Sequence, residues 1–198
     1  EILSSFKDFA FNSKKLLINY DCVITKTNFN SKINWSIKET KNVTYSIIPT
    51  VVNQDHTIGR YYENGNFIDI LKIPIPGLHN LSNITASIAA SRMVGVKFND
   101  IKKNIKYLKL PKKRFELRGE LDERSIYDDY AHHPNEIKAT INLARLFINQ
   151  NNNKKGEKSR LVVIFQPHRY SRVKQFVNEF AEELSKADVI YLTNIYGA

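Results

Sequence analysis

Cysteine occurs once in these 198 residues, at Cys22, so no internal disulfide can form. A lone thiol fits a reducing, cytoplasmic setting better than a secreted disulfide scaffold. The seven glycines are scattered singly, and methionine and tryptophan occur once each. No apolar run approaches the roughly 18 residues that a membrane span needs, which excludes a helical integral membrane protein and leaves no membrane partner. The start, Glu1-Ile2-Leu3, has neither an initiator Met nor a basic-then-apolar signal segment, so the chain reads as an internal piece of something longer.

Present in quantity are positive charge and ordinary core-forming residues. There are 30 Lys+Arg against 20 Asp+Glu, a formal charge of +10, with 42% hydrophobic residues. These are globular proportions and exclude a disordered chain. The charge excess invites a nucleic-acid reading, but its distribution opposes it. Residues 1–110 hold 15 basic and 8 acidic side chains, and residues 111–198 hold 15 and 12. The surplus sits on isolated lysines, many beside asparagines, with no arginine stripe and no aromatic RNA-binding motif. A basic cleft for a small anionic substrate fits better than a nucleic-acid partner.

The spacing predicts a helix end over 2–12, with Leu3, Phe6 and Ala10 at helical spacing. Short β-rich runs follow (LLINY, VTYSIIPTVV, IGRYY, FIDILKIPI), with Asn64-Gly65 as a hairpin turn. A small-residue helix is expected from Asn80 to Val94, stopped by Gly95, and a second from Asp100 to Leu108, capped by Asn99 and burying Ile101, Ile105 and Leu108. A boundary falls near Leu110-Pro111, dividing the chain into 1–110 and 111–198. Downstream, FELRGEL alternates Phe115, Leu117 and Leu121, and SIYDD reads as a strand. Pro134 suits the first position of a helix to about Ile148. Residues 149–159 read as a solvated loop. LVVIF reads as a buried parallel strand, a stripe of Val173, Phe176, Val177, Phe180 and Leu184 as a helix, and VIYL as another buried strand. The fold class is therefore α/β: a β-rich and helical first part, then a Rossmann-like parallel α/β second part.

In such sheets ligands bind beyond the carboxyl ends of the strands, and two loops there carry more chemistry than a turn needs. In QPHRYSR, Arg169 and Arg172 lie three apart at a helix entry. Their planar forked donors, with the helix N-terminus, make an anion pocket, against the plain alternative of a solvated basic turn. DDYAHHP places two carboxylates, a phenol and two imidazoles within seven positions. Asp129 with His132 or His133 as a metal site matches no standard zinc spacing. Asp129 on a ribose hydroxyl, or an Asx-type turn leading into the helix at His133-Pro134, remain open. In IPGLHNLSN, Asn80 and Asn83 share a helix face, where paired amides suit a purine edge or serve simply as caps.

Taken in order, PGLHNLSN (76–83), KRFELRGE (113–120), DDYAHHPNE (128–136) and QPHRYSR (166–172) resemble the Mur ligases across essentially the whole chain. Residues 15–70 match only in general texture. Within that family the QPHRYSR loop points to the branch that adds L-alanine to UDP-N-acetylmuramate. A murein tripeptide branch shares the other segments and is the alternative, as is a nucleotide-binding module without chemistry. The resemblance implies a cytoplasmic, ATP-dependent carboxylate–amine ligase of peptidoglycan synthesis that works through an acyl phosphate. It assigns His79, Asn80, Asn83, Arg114 and Asp129 to ATP. Tyr130, His132, His168, Arg169 and Arg172 then face alanine and the reacting carboxyl, with His132, Arg169 and Arg172 as the catalytic set.

The sequence departs from the family pattern in having no G-x-x-G-K-[ST] string to hold phosphates. The Glu and His expected to hold Mg²⁺ would lie upstream of Glu1, so no metal ligand is assigned within the chain. The resemblance thus implies the end of a central ATPase domain over 1–110 and a truncated C-terminal domain over 111–198, a piece that does not turn over alone.

Overall fold

The computed structural model of the chain describes residues 2–155 and 159–197, and within them every side chain but those of 151 and 153–155. The chain divides into two compact units, Glu1–Lys109 and Leu110–Ala198. Among the described residues no helix is long and apolar enough to cross a membrane.

The first unit is built on a five-stranded mixed sheet in sequential order. Strands β1 (Leu17–Asn19), β2 (Ile33–Ser36) and β3 (Tyr45–Val52) pair in parallel. Strands β4 (Thr57–Glu63) and β5 (Asn66–Ile73) then continue antiparallel. The Asn64-Gly65 turn joins them with both residues at positive φ, 50° and 78°, the conformation that makes a two-residue hairpin match the strand twist. Pro49, which lacks an N–H for the ladder, sits where the β3–β4 register shifts. Opposite it, a Cβ on Gly59 would lie 2.5 Å from the Ile47 side chain, so only glycine lets the two strands approach there.

Helix α1 (Ile2–Phe11) buries none of its residues, and Phe6, Phe9 and Phe11 are exposed. Helix α2 (Val23–Asn28) and β2 are short elements that the hydrophobic pattern does not announce. Helix α3 (Leu78–Met93) packs on β1, β2 and β3, burying Leu81, Ile84, Thr85, Ile88 and Ala89, while Ile47, Leu71 and Ile73 are buried in the sheet. Helix α4 (Phe98–Asn104) begins earlier than Asp100, preceded by Lys97 rather than capped by Asn99. The reason is Phe98, whose ring lies flat on Tyr61 with centroids 4.9 Å apart. A 3₁₀ turn over Ile105–Tyr107 follows; Ile105 is buried, but Leu108 is not.

The last turn of α3 is tied to the sheet by a charged cluster. Arg92 donates to both carboxylate oxygens of Glu63, at 2.6 and 3.0 Å, and the buried Tyr61 hydroxyl donates to the same carboxylate at 2.7 Å. The Arg92 hydrogen bonds, seconded by the Tyr61 hydroxyl and the Arg92 charge, outweigh burial and hold Glu63 below the usual glutamate range. Burial first, and then Glu63, push the Tyr61 phenol far above the usual tyrosine range.

In the second unit, β6 (Glu116–Leu121) and β7 (Arg124–Asp128) form an antiparallel hairpin. Its β6 side carries a register shift between Leu117 and Gly119, and Leu117 and Leu121 are exposed rather than buried. Helix α5 runs from Pro134 to Lys155, well past Ile148. No glycine or proline interrupts 149–155, so the polar run continues the helix instead of looping. Residues 156–158 of the expected loop lie outside the described residues. Strands β8 (Val162–Phe165) and β9 (Val189–Leu192) pair in parallel, flanking helix α6 (Tyr170–Leu184). The parallel ladder is thus β8–β9, and among the described residues β7 pairs only with β6.

One face of β8–β9 meets α5 and α6 in a core of Ile137, Ile141, Phe165, Phe180 and Leu184. The opposite face leaves Val162, Ile164 and Tyr191 exposed, so LVVIF is buried on one side only. Helix α6 has a non-helical residue at Phe176, and Val177 beyond it is exposed instead of joining the stripe.

Arg92→Met is expected to lower the stability of the first unit by about 1–3 kcal/mol, because it strands a partly buried carboxylate. Denaturation followed by Trp35, the sole tryptophan, in β2, measures this. The depressed Glu63 also sets a sign. Its contribution is fully present above the ordinary glutamate range and is lost as pH falls through its lower folded value, and Arg92→Met should flatten that acid limb.

Candidate functional site

In the first unit, Gly77 (φ 96°) turns the chain into α3. Asn80 is buried, and its amide nitrogen donates back to the Pro76 carbonyl at 2.7 Å. Asn83, nearly one turn on, is exposed, as is His79. The two amides therefore differ: one secures the turn that starts the helix, and the other is presented to solvent.

In the second unit the chemistry gathers where β7 leads into α5 and β8 into α6. Residues 129–133 belong to no strand or helix, so their N–H groups need other acceptors. Asp129 accepts from the amides of Phe115 and Ala131, both at 2.8 Å. This holds Phe115 at φ 49°, where its ring stacks on Tyr127 at 4.3 Å and meets Phe147 edge-on.

Helix α5 starts with a reciprocal cap. His133 Nδ1 accepts from the Asn135 amide at 3.3 Å, while Glu136 Oε2 accepts from the His133 and His132 amides at 3.2 and 3.0 Å. Glu136 also faces the His132 ring at 3.5 Å and, through Oε1, Arg114 at 3.8 Å. Its partial burial alone would raise it. The His132 amide and imidazole, Arg114 and the His133 amide together bring it below the usual glutamate range.

The loop after β8 is held by an extension of the β8–β9 ladder. The Thr193 amide donates to Phe165, Tyr196 to Pro167 and Arg169 to Tyr196, at 3.1, 2.8 and 2.8 Å, and His168 bridges Tyr196 in parallel. These bonds keep Arg169 at φ 69°, ψ 121° as the residue preceding α6, a sparsely populated conformation for a side chain with a Cβ. The rings line up in series: Tyr130 on His132 at 5.1 Å, His132 near His168 at 6.2 Å, and His168 on Tyr196 at 5.1 Å. Tyr130 and Arg169 are exposed. Nη1 of Arg172 is buried and has no hydrogen-bond partner.

The second unit thus brings Tyr130, His132 and His168 into one series of rings and sets Arg114 against the head of α5. Glu136 and Tyr196 were not among the residues singled out from the sequence. Glu136 had a legible signal, standing at the third position of a helix started by Pro134. Tyr196 had none, since its partners lie about 30 residues away in the chain.

The His132 tautomer follows from its surroundings. Nδ1 lies 2.9 Å from the Tyr130 carbonyl, which can only accept, so Nδ1 carries hydrogen and Nε2 of the neutral ring is the lone-pair nitrogen. Among the described residues no group of three or more His, Cys, Asp or Glu is arranged to hold a metal ion. Asp129→Asn replaces one acceptor oxygen with an NH₂ group and should cost about 1–3 kcal/mol of stability in the second unit. Amide exchange at Phe165 measures it; unchanged protection would mean that the Asp129 contacts are dispensable to the fold.

Residues 113–197 match the family model described as Mur ligase, glutamate ligase domain. The chain is 69% identical over 199 aligned residues to UDP-N-acetylmuramate–L-alanine ligase of Prochlorococcus marinus subsp. pastoris, covering all of this chain and 42% of that protein. The chain therefore spans about two fifths of the length of the curated relatives it matches. Among solved structures, UDP-N-acetylmuramate-alanine ligase from Thermotoga maritima superposes with a TM-score of 0.75 at 24% identity, over 98% of this chain and 41% of that one. MurF ligase from Thermotoga maritima in complex with ADP superposes at 0.70 with 17% identity, over 96% and 43%. These two likenesses concern the fold; the sequence relationship is the match of residues 113–197 to the Mur ligase, glutamate ligase domain, and of the whole chain to part of a UDP-N-acetylmuramate–L-alanine ligase.

Proposed function

We propose that this chain supplies the amine-side and part of the nucleotide-side machinery of a cytoplasmic, ATP-dependent ligase joining L-alanine to UDP-N-acetylmuramate. In this reading residues 1–110 are the C-terminal part of a central ATP-binding domain, and 111–198 form the Rossmann-like C-terminal domain. The reading draws its substrates from the name of the 69%-identical relative. The structural observation that carries it is the buried, unpartnered Nη1 of Arg172 beside the exposed Arg169 at the head of α6. Buried donors are nearly always paired, so a guanidinium nitrogen held dry without an acceptor suits an anionic ligand.

A carboxylate is a poor electrophile, and phosphorylation by ATP converts it into an acyl phosphate with a good leaving group. The alanine amine then attacks the acyl carbon, and phosphate departs. Arg172 and Arg169 would take the alanine carboxylate and the oxygens that gain charge in the tetrahedral intermediate. Nε2 of His132 would receive the proton that the alanine ammonium must lose to become the attacking amine. Asn80, Asn83, His79, Arg114 and Asp129 belong to the nucleotide side. Two facts qualify their roles: the Asn80 amide nitrogen is engaged by Pro76, and both Asp129 oxygens already accept backbone amides. Mg²⁺ would neutralise the phosphates of ATP, and no described residue of this chain is assigned to it.

The test is a chimera in which these 198 residues replace the matching stretch of the Prochlorococcus marinus relative. It should release phosphate only when ATP, UDP-N-acetylmuramate and L-alanine are all present, whereas residues 1–198 alone should release none. In the chimera, Arg172→Ala should raise the KM for alanine or lower kcat by about 10²-fold or more. Unchanged constants would remove Arg172 from the site.

A further inference from the structure

We infer that Glu136 is a positioning residue that splits its two carboxylate oxygens between the nucleotide-side Arg114 and the imidazole of His132. The inference rests on the proposed roles of those two residues, but its geometry stands by itself. Oε2 accepts the His132 and His133 amides and lies 3.5 Å from His132 Nδ1, while Oε1 faces Arg114 Nη1 at 3.8 Å. A cap alone would need only the first of these. Glutamine at this position also completes a capping box, so the charge is surplus to the helix and is what faces the guanidinium and the ring.

Removing the charge would leave Arg114, half exposed and set in the turn before β6, without its anionic partner. His132 Nδ1 would then keep the Tyr130 carbonyl but lose the carboxylate beside it. The other ionisable groups near this point are His133, whose ring leans on Phe176 of α6, His168 beyond His132, and Asp129, which is occupied by the Phe115 and Ala131 amides. Glu116, the carboxylate at the start of β6, accepts the Lys113 amide at 2.8 Å and pairs with Arg118, so among the described residues the ion pair of Arg114 is with Glu136, which links it to the imidazole.

Two substitutions in the 198-residue chain separate cap from charge. In Glu136→Ala, the His132 and His133 amides should exchange about tenfold faster or more, as both lose their acceptor. In Glu136→Gln that protection should persist, while the Arg114 Nε resonance moves to the position of an unpaired arginine. An Arg114 resonance identical in all three proteins, or amides indifferent to Glu136→Ala, would overturn the inference.

A second arm uses the chimera. Glu136→Gln should raise the KM for ATP about three- to tenfold, whereas a merely structural defect would lower kcat at constant KM. An unchanged KM in an active chimera overturns the inference. An inactive parent chimera counts against the proposed function, and the resonance arm then decides Glu136 separately.

Discussion

Between β7 and α5 the backbone leaves regular structure for five residues, and two carboxylates do the hydrogen bonding that a ladder or helix would otherwise do. Asp129 takes the amides of Phe115 and Ala131; Glu136 takes those of His132 and His133. Four N–H groups that would otherwise be half-buried and unpaired are satisfied by these two side chains, three of them between residues 131 and 133 and one at Phe115. Because carboxylate–amide bonds are charge-assisted and directional, the path of the segment is set closely. The side chains at Tyr130, His132 and His133 inherit their directions from it. The loop after β8 solves the same problem differently, by borrowing the backbone of residues 193–196 as a continuation of the parallel ladder.

These arrangements place unlike groups in unlike states. His132 keeps hydrogen on Nδ1 through the Tyr130 carbonyl, leaving Nε2 as its basic nitrogen. Arg169 precedes α6 in a conformation few non-glycine residues adopt, held by the amide bond to Tyr196. Arg172 has a nitrogen shielded from water with nothing to donate to. A segment that only connected two elements would need neither the strained arginine nor the orphan donor. In the first unit the charged cluster has the opposite character. Glu63 accepts from both Arg92 and Tyr61, and its work is to fasten the end of α3 to the sheet.

The elements most legible in the sequence were those with strong local grammar. Asn64-Gly65 gave the hairpin, Pro134 the start of α5, and the small-residue pattern α3 to within two residues of its observed start. Less legible were the elements settled by distant partners. Helix α4 starts at Phe98 because Tyr61, far back in the chain, offers a ring to stack on. Leu117 and Leu121 alternate as a buried strand should, yet both are exposed in a hairpin whose register shifts between them and which, among the described residues, pairs with no third strand. LVVIF reads as buried on both faces because composition cannot tell how many layers will cover a strand.

The sequence by itself determined the chemical inventory and its order: which amides, imidazoles, carboxylates and guanidiniums lie in which loops, and that those loops follow strands of an α/β fold. Periodicity and turn chemistry are local, so they can be read along the chain. The tertiary structure alone decided which of those groups are free to act. Asn80 is engaged by the turn before it, Asp129 by the backbone on both sides, and Glu136 by three neighbours, whereas Arg172 Nη1 is left without an acceptor. Whether a polar group is spent or available depends on the atoms within about 3 Å of it, and spacing in the sequence does not encode that distance.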